Sequence, residues 1–349
     1  MVICAAAVIA PLVLSHSPSA SRRAARSPAG HGRPGSGHRL PGSGHGRPRS
    51  GHGHGRSGYR RAPGSLAART PILAGYPRAS TTGVPARRRL LRVPGQVSRG
   101  PGWYYDSRGY VLVYGRGAVL SGLDIDCGVS ITGSHVTITG DLIVVGGHNA
   151  IGVALRRTAD VTIEDSTIRG LNPTSGRMMT GIKDVFGDSS GTVIRGNDIS
   201  LAETGIQINS GLIVNNYIHN PGYQPGDHTN GITSNGGGSA PLTIEHNTIL
   251  INRSQTDAIG LFEDFGIQQN RRIADNLLAG GDYVIYAGQR PGGPVTRNIV
   301  ITGNRIISMF YPRGGHFGCI AHFDRHGPGD TWSDNRWNST IMSAGNLCD

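Results

Sequence analysis

A short unit, I-x-x-N-x-I, recurs along the chain and limits what it can fold into. Its copies read Ile138-Asp141-Ile143, Ile163-Ser166-Ile168, Ile194-Asn197-Ile199, Ile213-Asn216-Ile218, Ile244-Asn247-Ile249, Ile273-Asn276-Leu278, Ile301-Asn304-Ile306 and Trp332-Asn335-Trp337. A degenerate first copy is Leu120-Leu123-Ile125, and the polar centres lie 18 to 31 residues apart. Side chains of a strand alternate faces, so an inward residue returns at even spacing. Here the two Ile are five apart, so the chain must turn a corner between them. Asn at that corner can hydrogen-bond its counterparts in neighbouring coils, and it tolerates the left-handed backbone a tight corner needs. A second strand, G-I-x-φ, follows in each coil: Gly181-Ile182, Gly205-Ile206, Gly231-Ile232, Ala258-Ile259, Val284-Ile285 and Cys319-Ile320. Such units bury their apolar face only against the next unit, so they stack as a solenoid. The expected fold class is all-β, a parallel β-helix. Aromatic residues are only 6% of the chain, so its core must be small and aliphatic.

The solenoid does not begin at residue 1. Residues 1–99 carry 17 Arg and no Asp or Glu. Residues 100–349 carry 16 Arg and Lys183 against all 22 acidic residues, a formal charge of −5. The net +12 therefore averages a basic tail and a mildly acidic body, and says little about nucleic-acid binding by the folded part. Residues 1–20 contain an apolar run followed by small residues and read as a signal peptide, although no basic residue precedes the run. Residues 21–71 are Gly/Arg/Pro/His-rich and cannot bury enough apolar surface to offset chain entropy, so they are expected to be disordered. Weak polyanion binding by this tail and a plain linker role both remain open. Residues 72–349 are assigned to the β-helix domain. No apolar run reaches membrane-span length, so no integral membrane association is expected. No P-loop or dinucleotide glycine pattern follows a strand and opens a helix, so no nucleotide is expected. Of Cys4, Cys127, Cys319 and Cys348, no two form a CxxC pair. Pairing of Cys319 with Cys348 and three buried thiols are both open.

Several segments resemble exported bacterial right-handed parallel β-helix proteins of the pectate-lyase-like superfamily. The sequence Gly75-Tyr76-Pro77-Arg78-Ala79-Ser80-Thr81-Thr82-Gly83-Val84-Pro85 is similar to that family's opening segment, with Thr81 where Asn is usual. Asp227-His228-Thr229-Asn230-Gly231-Ile232 is similar to its H-x-D-G-I segment, with Asn230 where Asp is usual. Asp264-Phe265-Gly266 and Leu277–Tyr283 also resemble family segments. The resemblance implies a right-handed solenoid, a secreted or cell-surface location, and a polysaccharide partner. The opening segment is expected to cap one end of the solenoid.

Chemistry is expected where the G-I strands stack. One past the Ile lie Lys183, Gln207, Thr233, Gly260 and Tyr286; two before it lie Thr180, Thr204, Asn230, Asp257 and Tyr283. Elimination from a uronate needs a base and a cation to neutralise the carboxylate. Lys183 or His228 can be the base. Arg290, or Ca2+ held by Asp227 and Asp257, can neutralise. Hydrolysis needs two carboxylates, for which Glu263 with Asp264, Asp257 or Asp282 are candidates. Tyr283 and Tyr286 can stack on sugar rings, beside Gln207, Asn230, Asp282 and Arg290 as binding residues. A monomeric polysaccharide lyase is the leading expectation. A glycoside hydrolase and a non-catalytic glycan-binding module are the alternatives, so whether the chain is an enzyme stays open, as does a need for calcium.

Overall fold

The computed structural model describes residues 74–338 and 340–341. The expected signal peptide, basic tail and Cys348 lie outside the described residues. Among those described there is no helix, so none is long and apolar enough to cross a membrane. The chain forms three long sheets whose strands pair in parallel through the body of the molecule. The first sheet holds the second half of each repeat, as in Thr167–Arg169, Asp198–Ser200 and Tyr217–His219. The second holds the G-I strands, from Gly128–Ile131 through Met178–Asp184 and Asn230–Ser234 to Gly318–Ala321. The third holds the first half of each repeat, from Val119–Ser121 to Thr331–Ser333. Its nine strands mark nine successive coils. The repeat is thus a corner between the third and first sheets, as its odd spacing requires.

One register holds throughout. Ile138, Ile163, Ile194, Ile213, Ile244, Ile273 and Ile301 pair coil to coil, as do Ile143, Ile168, Ile199, Ile218 and Ile249. All are buried and form one continuous core. In the last copy Trp332 and Trp337 replace Ile, and Trp332 packs near Phe323 with ring centroids 5.9 Å apart.

The corner divides its two tasks between neighbouring residues. The Asn side chains form a buried ladder: Asn197 donates to Asn216 at 3.0 Å, Asn216 to Asn247 at 2.9 Å, Asn247 to Asn276 at 3.0 Å, Asn276 to Asn304 and Asn304 to Asn335 at 2.9 Å. The left-handed conformation belongs instead to the residue just before: Asp165, Gly196, Asn215, His246, Asp275, Gly303 and Asp334 all have φ between 47° and 69°. The sequence reading gave both tasks to Asn.

Asp141 ends the ladder. It accepts from the Leu123 N–H at 2.7 Å, while its Oδ2 has no hydrogen-bond partner among the described residues. Burial pushes its carboxyl up to about 7, against the opposing effects of the Leu123 hydrogen bond and the Arg88 charge. A carboxyl whose folded value lies above its unfolded value binds its proton more tightly in the native state. Stability then falls as pH rises from about 4 to about 7, and the penalty is complete above that window. Asp141→Asn is expected to raise the melting temperature near pH 8 and change it little near pH 4. Thermal melts across that range check this, and parallel curves for both proteins would overturn it.

Residues 75–85 do not cap an end, which corrects the expectation above. They run along the outer flank of the first sheet. Tyr76 stacks on His246 at 5.5 Å and packs on a cluster of Leu277, Ala279 and Ile307. Gly83 N–H donates to Gly196 O at 2.8 Å, and Val84 N–H to Thr167 Oγ1 at 3.1 Å. A Cβ on Gly83 would lie 2.6 Å from that Thr167 oxygen, so only glycine permits the approach. Arg88 then reaches Ser121 at 2.6 Å, and Leu91–Val93 pairs with Leu123–Ile125. The strap therefore crosses the coils in the reverse of their order. The end itself is covered by the next segment, where Arg99–Gly100, Trp103–Asp106 and Tyr110–Val113 form antiparallel pairs at the edge of the second sheet.

Candidate functional site

The second sheet presents the expected columns. Lys183 pairs in register with Gln207, Gln207 with Thr233, Thr233 with Gly260, and Gly260 with Tyr286. Thr180, Thr204, Asn230, Asp257 and Tyr283 align in the same way. The Ile is buried and the residue after it points the opposite way, so Lys183, Gln207 and Tyr286 reach the outer face, whereas Thr180, Thr204, Asn230 and Asp257, two before the Ile, are buried. From the Lys183 strand to the Tyr286 strand the column spans four strand spacings, about 19 Å.

The end near residue 286 is aromatic. Tyr283 and Tyr286 meet edge to face at 5.4 Å, Phe317 lies 5.9 Å from Tyr283, and His322 stacks on Tyr286 at 5.5 Å. Phe262 lies 6.0 Å from Tyr286. Its ring covers Gly260, where a Cβ would come within 2.6 Å of it. Phe317 is exposed, and Tyr283 and Tyr286 are half-buried. Burial, with the nearby Asp257 charge, pushes the Tyr286 hydroxyl up to about 12, so it stays protonated and able to donate. Asp282 stands beside this cluster, 3.7 Å from His316 Nδ1.

The Lys183 end is polar. Arg177 is fully buried, forms a two-bond pair with Asp227, and lies 3.0 Å from Glu203. Glu203 also accepts from the His228 N–H at 3.3 Å. Burial first, then the Asp227 charge, pushes the Glu203 carboxyl up. Lys183 is half-buried beyond it; burial lowers its pKa, and the Glu203 charge opposes that shift. The His228 ring is exposed, with Nδ1 3.4 Å from Thr256 Oγ1. Asn230 donates to Thr204 at 3.2 Å and to His228 O at 2.7 Å, which holds it down on the sheet.

The carboxylates proposed in pairs occupy different settings. Asp227 is committed to Arg177, whereas Asp257 is fully buried and neither of its oxygens has a hydrogen-bond partner. Burial raises the Asp257 pKa well above the ordinary carboxylate range, and no described residue offers it a hydrogen-bond partner. Glu263 is buried with its carboxylate 3.8 Å from Arg290 Nε, whereas Asp264 is exposed. Among the described residues, no three His, Cys, Asp or Glu side chains converge as a metal site. Of the cysteines, Cys127 is buried and Cys319 is disulfide-bonded.

Arg177 and Glu203 were not singled out from sequence. Glu203 lies three before its Ile, on a further column with Thr229, Thr256 and Asp282 that the same repeat could have pointed to. Arg177 lies in a loop outside any repeat position, 50 residues from Asp227, and no local pattern marks their contact.

Residues 116–272 match the family described as right handed beta helix region. No curated protein matches the chain. Fold and matched segment together define the class: a right-handed parallel β-helix protein, here with a polar and aromatic track along its second sheet.

Proposed function

We propose that this protein is exported and binds a linear acidic polysaccharide along the outer face of the second sheet, cleaving it by β-elimination. The observation that carries this reading is the registered column from Lys183 to Tyr286. Its repeat is one strand spacing, close to the advance of a sugar unit in an extended chain, so successive sugars can meet equivalent positions. Lys183 is the base, because its lowered pKa favours the neutral amine that can accept a proton. Tyr283, Tyr286 and Phe317 supply ring faces for sugars some coils away. Arg290 is held by Glu263 at the Tyr286 end and meets a different sugar, so at the Lys183 end a calcium ion brought with the substrate would supply the charge that neutralises the uronate carboxylate.

Incubation with polygalacturonate, alginate and hyaluronan tests this, with and without a chelator. Elimination leaves an unsaturated sugar and a rise in ultraviolet absorbance. Retention of glycan with no rise and no new reducing ends reduces the protein to a binding module. Asp282 favours a second reading, hydrolysis, because it is partly exposed beside the aromatic cluster and burial raises its carboxyl pKa toward the protonated state a general acid needs, whereas the fully buried Asp257 cannot reach a substrate. New reducing ends without absorbance would select that reading.

A further inference from the structure

The outward column does not start at Lys183. Lys183 pairs with Ala154, Ala154 with Ser130, Ser130 with Leu112, and Leu112 with Tyr104 of the end-covering hairpin. The side chains between the hairpin and Lys183 are small at Ser130 and Ala154, and the Arg156 guanidinium lies on the Ser130 hydroxyl at 3.0 Å. At the far end the surface becomes aromatic again. Tyr104 is 37% exposed and Tyr114 56% exposed, with ring centroids 5.9 Å apart. They line a cavity of about 340 Å³ together with Trp103, Tyr105 and Arg99. The Trp103 indole floors it by lying over Gly100, where a Cβ would come within 2.4 Å of the ring. Arg99 pairs in register with Tyr104 and makes no ion pair with an acidic residue among the described residues. The nearby Asp106 is taken up by Arg108 at 2.9 Å. This end therefore offers ring faces and an uncommitted cation, the two features a uronate unit needs.

We infer that Tyr104, Tyr114 and Arg99 form a distal subsite for the same polysaccharide chain, so that the full track holds one long segment of it. The inference rests on the reading of the second sheet as a glycan track. From the Tyr104 strand to the Tyr286 strand there are eight strand spacings, about 38 Å. A tetramer reaches only one part of the track, whereas a dodecamer spans both aromatic ends. The protein then prefers long chains and internal segments over short oligomers.

The test uses the full chain and calorimetric titration with tetramers and dodecamers of galacturonate and of alginate. A Tyr104→Ala, Tyr114→Ala variant is expected to bind the dodecamer about tenfold more weakly and the tetramer as before. Tyr286→Ala is expected to weaken both. Arg99→Gln, a surface change, serves where the double variant fails to fold, with the same pattern expected. Equal loss for tetramer and dodecamer, or no loss for either, in the distal variants overturns the distal subsite. If Tyr286→Ala weakens binding and the distal variants do not, only the extension fails. If Tyr286→Ala changes nothing, or no oligomer binds the parent protein, the track reading fails and the subsite with it.

Discussion

Asn247→Ala will destabilise the solenoid by about 4 kcal/mol or more, a loss reserved for changes that orphan several buried polar groups at once. The Asn247 amide donates to Asn276 Oδ1 at 3.0 Å, to Ile213 O at 2.9 Å and to Glu245 O at 3.0 Å. Its oxygen accepts the Asn216 N–H and the Asn216 side-chain amide, both at 2.9 Å. Asn216 and Asn247 are fully buried, so water cannot replace what is lost. Ser166→Ala is the comparison within the same ladder. Ser166 Oγ donates to Glu164 O at 2.8 Å and accepts the Asp141 N–H at 3.1 Å, so its removal is expected to cost only about 1–2 kcal/mol. Urea unfolding followed by circular dichroism measures both. Equal costs would show that the ladder is incidental to stability.

Lys183→Ala is expected to lower the elimination rate by a factor of about 10² to 10⁴, the usual contribution of a positioned base. Lys183→Arg should lose as much, because a guanidinium stays protonated and cannot accept the proton. The pH profile makes the test specific. Burial lowers the Lys183 pKa, so the limb of kcat/KM that reports its deprotonation should lie below the ordinary lysine value. The Glu203 charge raises that pKa and partly offsets burial. Glu203→Gln should therefore move the limb further toward acid. A limb that stays in place, or moves toward alkali, would separate Lys183 from the titrating base.

The parts of this molecule that were legible in the sequence are those a single coil specifies. Each Ile of the repeat faces inward for local reasons, and one fixed register then places every residue counted from it. That is why the Lys183 and Asn230 columns align as the spacing implies. The Arg177–Asp227–Glu203 cluster was not legible, because loops of unequal length bring it together and no repeat position records it. The Tyr104 end was hidden for a different reason. Its strands pair antiparallel, so their register is set by turns and not by the repeat. The Gly75–Pro85 segment could be recognised, but a motif carries no register and so did not show which coils it would meet. The Asn corner was half legible: the ladder followed from chemistry, whereas the left-handed residue varies among Gly, Asp, Asn and His.

The strap has a consequence for the order of assembly. In a solenoid each coil contacts only its neighbours, so coils can form one after another as the chain is made. Residues 75–85 are synthesised before every coil they touch, and Tyr76 meets its partners only once His246 and Leu277 are in place. The first part of the described chain to emerge must therefore be among the last to dock. When it does, it ties coils that share no direct contact, so a stack that could fray one rung at a time must release several together.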